Sequence, residues 1–142
     1  MKSKLRILTL LLFALALSAC QTTSSAPFKK YADAGEVPKI SVADAKKEVD
    51  AGTAVIVDSR GEAVYKMEHI AGSINIPNGS PKEKYDLVPK GKKAIVYCSC
   101  NGEGTSISLA YQMNQAGIPD TAAMVEGFQG WKSAGYPMEK SQ

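Results

Sequence analysis

Arginine, histidine and cysteine are all scarce in this 142-residue chain. His69 is the single histidine, Arg6 and Arg60 are the only arginines, and the cysteines are Cys20, Cys98 and Cys100. One imidazole and two neighbouring thiols fall short of a closed structural zinc site, which takes four such ligands, so no metal is expected. Long apolar runs are also missing. The stretch from Ile7 to Leu17 is shorter than the roughly 20 residues that span a bilayer as a helix. Nor does the main body carry an excess of one charge. The formal net charge is +3, and Lys2, Lys4 and Arg6 account for all of it. Setting those three aside leaves 14 basic against 14 acidic side chains. A balanced domain has no electrostatic attraction for nucleic acid or an anionic membrane surface.

What is present begins with a leader. Three cationic residues precede the apolar run, and Ser18, Ala19 and Cys20 follow it, which is the layout of an export signal. Leu17-Ser18-Ala19-Cys20 resembles the lipobox of bacterial lipoproteins, in which the cysteine is acylated and becomes the mature N-terminus. An ordinary signal peptide with a chance cysteine is the alternative. The resemblance implies a signal peptide at residues 1–19 and a cell-envelope protein held to the membrane by lipid on Cys20. Gln21, rather than aspartate, resembles the outer-membrane sorting pattern, facing the periplasm in a Gram-negative host. Residues 20–37 are mostly small or polar without an apolar period and read as a tether, leaving 38–142 as one domain.

Within that domain Ser41 and Asp44 mark a helix start, with Ile40 outside as a hydrophobic staple. Val42, Ala45 and Val49 supply its apolar face and Gly52 its stop. Ala54-Val55-Ile56-Val57-Asp58 is a continuous β-branched run, the pattern of a strand buried on both faces of a parallel sheet. A helix over 62–68, a strand over 73–76 and a mostly looped stretch over 78–93 with one turn near 82–86 follow. Residues 94–98 form the next strand, and a helix from Thr105 or Ser106 runs to Ala116, capped by Gly117. A strand over 122–125 and a short helix over 128–134 complete the set. Alternating strands and helices predict an open α/β sheet, whose sites lie at the carboxyl ends of its strands. Asp58, Cys98 and Cys100 fall there.

The chemistry concentrates in Tyr97-Cys98-Ser99-Cys100-Asn101-Gly102-Glu103-Gly104-Thr105-Ser106. Two thiols stand where a strand ends, followed by a Gly-rich loop and the first turn of a helix. Unpaired amides and the positive end of the helix dipole favour a thiolate there.

Several ordered segments together resemble a single-domain rhodanese. Val57-Asp58-Ser59-Arg60 is similar to that family's Asp-x-Arg, and His69 to Pro77 to its His-Ile-x-Gly-Ala-x-Asn-Ile-Pro segment. Tyr97-Cys98 matches the strand into the active loop. Glu126 to Trp131, with Ala134-Gly135-Tyr136-Pro137, matches the Gly-Gly-x-x-x-Trp…Gly-Tyr-Pro signature. The resemblance covers about residues 40–138. It implies a five-stranded, mainly parallel sheet with helices on both faces, and a sulfurtransferase that needs no cofactor. A small donor such as thiosulfate passes sulfane sulfur to a cysteine, and a thiophilic acceptor collects it.

The family loop reads Cys-x-x-Gly-x-Arg-Ser. Counted back from the helix, Ser106 aligns and Cys100 is the nucleophile, with Asn101, Gly102, Glu103, Gly104, Thr105 and Ser106 as the substrate-binding loop. Counted forward from the strand, Cys98 aligns instead. The fixed reach of helix dipole and amides favours Cys100, with Cys98 packed as a small apolar side chain. Thr105 stands in place of the loop arginine and Glu103 adds a negative charge. That argues against a Cys-dependent phosphatase, which needs an arginine clamp on phosphate, and weakens the case for dianionic thiosulfate. Two further readings stay open: a thiol–disulfide protein using Cys98 and Cys100, and a non-catalytic binding module. Asp58 and Arg60 are read as a structural pair near the loop, His69 as a structural hydrogen-bonding residue and Trp131 as packing. Lys90, Lys92 and Lys93 read as a solvated turn.

Overall fold

The structure, a computed structural model, describes residues 28–99 and 103–141. The leader, Cys20, Cys100, Asn101 and Gly102 lie outside the described residues. After β1 (Lys39–Ile40), α1 (Val42–Asp50) begins at Ser41, whose hydroxyl accepts from the Asp44 amide at 3.1 Å and donates to the Asp44 carboxylate at 2.8 Å. That is the expected capping arrangement. β2 (Ala54–Asp58) leads to α2 (Glu62–Met67), then to β3 (His69–Ile70) and β4 (Ile74–Asn75). A 3-10 helix, Lys82–Leu87, occupies the expected loop. β5 (Lys93–Tyr97), α3 (Gly104–Gln115), β6 (Thr121–Met124), α4 (Gly127–Ser133) and β7 (Met138–Glu139) complete the chain.

The main sheet has five strands in the order β1-β6-β5-β2-β4, every neighbouring pair parallel. β3 and β7 form a separate antiparallel pair. Side chains alternate across the sheet with the period of two that strands impose. Val57, Val96 and Ala123 pack with Leu109, Ala110 and Met113 of α3, and with Tyr85 and Val88. Ile56, Ile95, Tyr97 and Met124 point the other way, against Val42 and Ala45 of α1 and Phe128 and Trp131 of α4. Helices therefore cover both faces, and each fully buried Val, Leu or Ile contributes about 1.5–3 kcal/mol. Gly130 lets α4 approach closely: a Cβ there would lie 2.4 Å from Glu126 Cβ and 3.1 Å from Val42 Cγ2. No helix among the described residues is long and apolar enough to cross a membrane.

Several local readings are revised. Ile40 is a strand residue paired alongside Met124, as well as preceding the helix cap. The half-buried Lys93 opens β5 and pairs with Glu48 at 2.9 Å, so that end of the lysine turn is not simply solvated. Part of the stretch read as tether is packed on the domain. A 3-10 turn at Ala34–Glu36 precedes the buried Val37. The Tyr31 amide donates to Asn114 Oδ1 at 2.9 Å, and its hydroxyl donates to the Thr121 carbonyl at 3.0 Å. Asn114 and Gln115 return bonds to the carbonyls of Lys29 and Tyr31. This N-terminal strap thus grips the carboxyl end of α3 through backbone groups that α3 side chains satisfy.

Candidate active site

Four parallel strands deliver their last residues to one edge of the sheet: Asp58, Asn75, Tyr97 and Met124. Past those ends the backbone stays hydrogen-bonded. The Ser59 amide and hydroxyl both donate to the Tyr97 carbonyl, at 3.0 and 2.6 Å. The Phe128 amide donates to the Cys98 carbonyl at 2.9 Å. The thiol-bearing segment therefore leaves β5 with its first two carbonyls held, one by the β2–α2 turn and one by the start of α4. Cys98 is buried at 4% exposure.

On the far side of the loop, α3 starts at Gly104, one or two residues earlier than expected. Gly104 and Thr105 are exposed, and Ser106 is fully buried. The Ser106 hydroxyl donates to the Glu103 carbonyl at 2.8 Å, inside the first turn. Glu103, the cap residue, has φ 41°, and Glu126, the cap residue of α4, has φ 66°. Left-handed backbone disfavours a side-chain-bearing residue by about 1–2 kcal/mol. The Glu103 carboxylate meets Lys39 Nζ at 2.7 Å.

At the ends of β2 and β5 lies a buried ionic cluster. Arg60 Nε donates to both carboxylate oxygens of Asp58, at 3.0 and 3.1 Å, and its NH2 donates to Oδ2 at 2.7 Å. The same NH2 reaches the Glu68 carbonyl at 2.8 Å. The guanidinium lies 4.2 Å from the Phe128 ring centroid, over its face. The Tyr97 hydroxyl donates to Asp58 Oδ2 and accepts from the Ile70 amide at 3.2 Å. Asn75 Nδ2 donates to the carbonyls of Asp58 and Arg60. Burial disfavours charge on Arg60, but the hydrogen bonds and charge of Asp58 outweigh it and raise its pKa. Burial, and then the Asp58 charge and hydrogen bond, push the Tyr97 phenol far up, so it remains a donor. Asp58 and Arg60 thus join the ends of β2 and β5 to α4.

His69 sits elsewhere. It stacks on Tyr65, with ring centroids 3.7 Å apart. Its Nδ1 lies 2.7 Å from the Tyr65 carbonyl and its Nε2 lies 3.1 Å from Glu139 Oε1. Glu139 also accepts from the Gly72 amide at 2.8 Å. First that amide and then His69 hold the Glu139 carboxyl below its ordinary value of 4.5. A depressed carboxyl stabilises the fold above its unfolded pKa and loses that contribution as pH falls through the folded one. Denaturant titrations at about pH 6 and about pH 3.5 should therefore show a smaller acid loss in Glu139→Gln than in the wild type. Equal losses would mean that this tie adds nothing.

Trp131 is buried at 2% exposure and donates to the Pro137 carbonyl at 3.1 Å. Tyr97, Glu126 and Phe128 are the site-end residues that pattern reading missed as participants. Only the position of Tyr97 before the first loop thiol marked it. A cleft lined by Pro38, Ile40, Asp44, Glu48, Lys93 and Asp120 contains none of the expected catalytic residues, and the Lys93–Glu48 ion pair lies in it. Among the described residues no group of three or more His, Cys, Asp or Glu side chains comes together as a metal site.

The chain is similar to several known proteins. A protein named thiosulfate sulfurtransferase GlpE from Pseudomonas fluorescens is 32% identical over 89 residues, covering 63% of this chain and 79% of the relative. The protein of that name from Coxiella burnetii is 30% identical over 79 residues, 56% and 72% of the two chains. Among solved structures, a rhodanese-related protein from Thermoplasma volcanium superposes with TM-score 0.60 at 26% identity, over 72% of this chain and 97% of that one. The thiosulfate sulfurtransferase of Pseudomonas aeruginosa gives TM-score 0.59 at 30% identity, over 75% of this chain and 21% of that one. With residues 41–134 matching the model of the rhodanese-like domain, the chain belongs to the rhodanese-like family.

Proposed function

We propose that this protein is a sulfurtransferase that carries sulfane sulfur as a persulfide on Cys100, in the bacterial cell envelope. The observation that carries the reading is the placement of its thiol-bearing loop. That loop leaves the carboxyl end of the central strand β5 and enters the amino end of the twelve-residue α3. Amides and dipole at such an end favour anions. They suit both the attacking thiolate and the terminal sulfur of a persulfide. Burial of Cys98 against the start of α4 supports Cys100 as the acting thiol.

In the first half-reaction the Cys100 thiolate attacks the sulfane sulfur of a small donor. A new S–S bond forms, the donor's own S–S bond breaks, and the leaving group departs with the electron pair. A thiophilic acceptor then attacks the terminal sulfur and regenerates the thiolate. Cys20, acylated, holds the domain to the membrane, in the outer membrane facing the periplasm if the host is Gram-negative.

Intact-mass measurement of the purified protein after exposure to a sulfane donor tests the reading. Gain of one sulfur, removed by a thiophile such as cyanide, is expected. An unchanged mass, with a Cys98–Cys100 disulfide in protein recovered from cells, would overturn it in favour of thiol–disulfide exchange. Anchoring is tested by Cys20→Ala, which should move the protein to the soluble fraction; continued membrane retention would count against the lipid.

A further inference from the structure

His69 is the single histidine of the chain and is buried, at 2% exposure. Both nitrogens of its ring face oxygen. Nδ1 lies 2.7 Å from the Tyr65 carbonyl, which can only accept, so the ring donates there and Nδ1 carries the hydrogen. In a neutral imidazole Nε2 would then hold a bare lone pair. That atom lies 3.1 Å from Glu139 Oε1, an oxygen that already accepts from the Gly72 amide at 2.8 Å. The Glu139 carboxyl is held below its ordinary value, first by that amide and then by His69, so it faces the ring as a carboxylate. Two lone pairs at this separation repel. The contact is a hydrogen bond only when Nε2 carries a proton as well.

The bond fastens the end of the chain. Glu139 belongs to β7, a two-residue strand that forms its own small sheet with β3. Beside it the Ala71 amide donates to the Pro137 carbonyl at 3.1 Å, and the Ser141 amide to the Lys66 carbonyl at 3.2 Å. So short a ladder has little hold of its own, which leaves the tie between His69 and Glu139 a large share of it. The other charged groups around the ring are already matched. Glu68, next to His69, meets Lys132 of α4 at 2.5 Å, and Glu62 meets Lys66 along α2 at 2.7 Å. On the β2 side Arg60 meets Asp58. The phenols of Tyr65, stacked on the ring, and Tyr97, bonded to the Ile70 amide, are pushed up by burial and stay protonated. Lys140, beside Glu139, is exposed. Among the described residues Glu139 is therefore the one charged group bonded to the imidazole.

We infer that β7 is a proton-dependent latch, fastened to β3 while both ring nitrogens of His69 carry a proton and released as rising pH removes the one at Nε2. Histidine is the side chain whose charge changes in the range where such a device is useful. The closed form keeps a proton that the open form gives up, so by linkage closure weakens as pH rises. Opening frees the Pro137 carbonyl, which holds Trp131 Nε1, and uncovers β3. β3 in turn supplies the Ile70 amide to the Tyr97 hydroxyl and follows the Glu68 carbonyl that accepts from Arg60. The latch thus adjoins the buried cluster at the ends of β2 and β5 without being part of it.

The test follows amide hydrogen exchange in the full-length protein between about pH 6 and about pH 8.5, corrected for the base catalysis that any amide shows. The Ala71, Gly72 and Ser141 amides report the latch, and the Ala94 and Ala123 amides report the main sheet. Protection of the first three should fall by up to about tenfold per pH unit, the dependence of a step that releases one proton, while the other two hold. Nitrogen-15 spectra of protein labelled at histidine read one ring alone. They should show two N–H groups at the lower pH and loss of the one at Nε2 in step with the opening. His69→Phe, which keeps a ring against Tyr65 but has nothing to titrate, should abolish the pH dependence. Glu139→Gln, at a half-exposed side chain, tests the same point without disturbing the core. It should reduce the ratio of protection between the two pH values at least roughly threefold, because a neutral amide holds a proton on the facing ring less well than a carboxylate does. Latch amides with constant protection, or main-sheet amides that open in step with them, would overturn the inference. So would a ring with a single N–H while the latch is closed.

Discussion

Cys100→Ser is expected to abolish sulfur loading altogether, whereas Cys98→Ser keeps most of it. A serine hydroxyl is not ionised by the amides and dipole that ionise a thiol near neutral pH, so the expected loss is complete within detection. Cys98 is a buried side chain whose carbonyl is already bonded to the Phe128 amide. Serine there puts a hydroxyl in place of a buried thiol and costs about 1–3 kcal/mol of stability rather than the chemistry. Intact-mass spectrometry after donor exposure reads the outcome directly. Equal loading of the two variants would mean that the nucleophile is misassigned. Loss in Cys98→Ser alone would place the reacting sulfur at the strand end.

The second large effect concerns stability. Arg60→Ala should lower the unfolding free energy by about 3–5 kcal/mol, the usual consequence of leaving a buried charge without its partner. The stranded group is Asp58, with no solvent exposure, bound by two guanidinium nitrogens and by the Tyr97 hydroxyl. Such a loss is a large share of the roughly 5–15 kcal/mol that holds a domain together. Arg60→Lys should recover little, because an ammonium cannot reproduce the planar fork that serves Asp58 and the Glu68 carbonyl together. Removing both charges, as Asp58→Leu with Arg60→Met, should cost less than the sum of the single changes. Denaturant midpoints and slopes measure each of these variants and the single changes Asp58→Leu and Arg60→Met. An Arg60→Ala protein within about 1 kcal/mol of wild type would show that water replaces the guanidinium.

Much of this architecture is readable along the chain because it is set by local pattern. Ala54–Asp58 reads as a strand because a β-branched run has nowhere to go but between two covered faces. α1 is legible from its own cap, Ser41 with Asp44. Three of the four two-residue strands are different: Lys39–Ile40, His69–Ile70 and Met138–Glu139 exist only because a distant partner supplies their hydrogen bonds. Nothing in two residues encodes that. The thiol loop announces its chemistry through cysteine, glycine and a following helix. The cluster at the strand ends depends on the Tyr97 hydroxyl meeting Asp58 across 39 positions, which only the folded sheet brings about. Glu103 and Glu126 are visible as charges in the sequence, while their shared left-handed backbone is visible only in three dimensions.

The strap at Tyr31 is fastened to the end of α3 remote from the thiol loop. It is fastened at Asn114 and Gln115, the last turn of a twelve-residue helix whose first turn adjoins the thiol loop. That helix is about 18 Å long, so leash and reactive end sit at opposite poles. From Cys20 to Lys29 the chain reaches about 30 Å at most. If Cys20 carries acyl chains, as proposed, the leash joins the domain at the end of α3 away from the thiol loop, which leaves that loop open to the aqueous compartment.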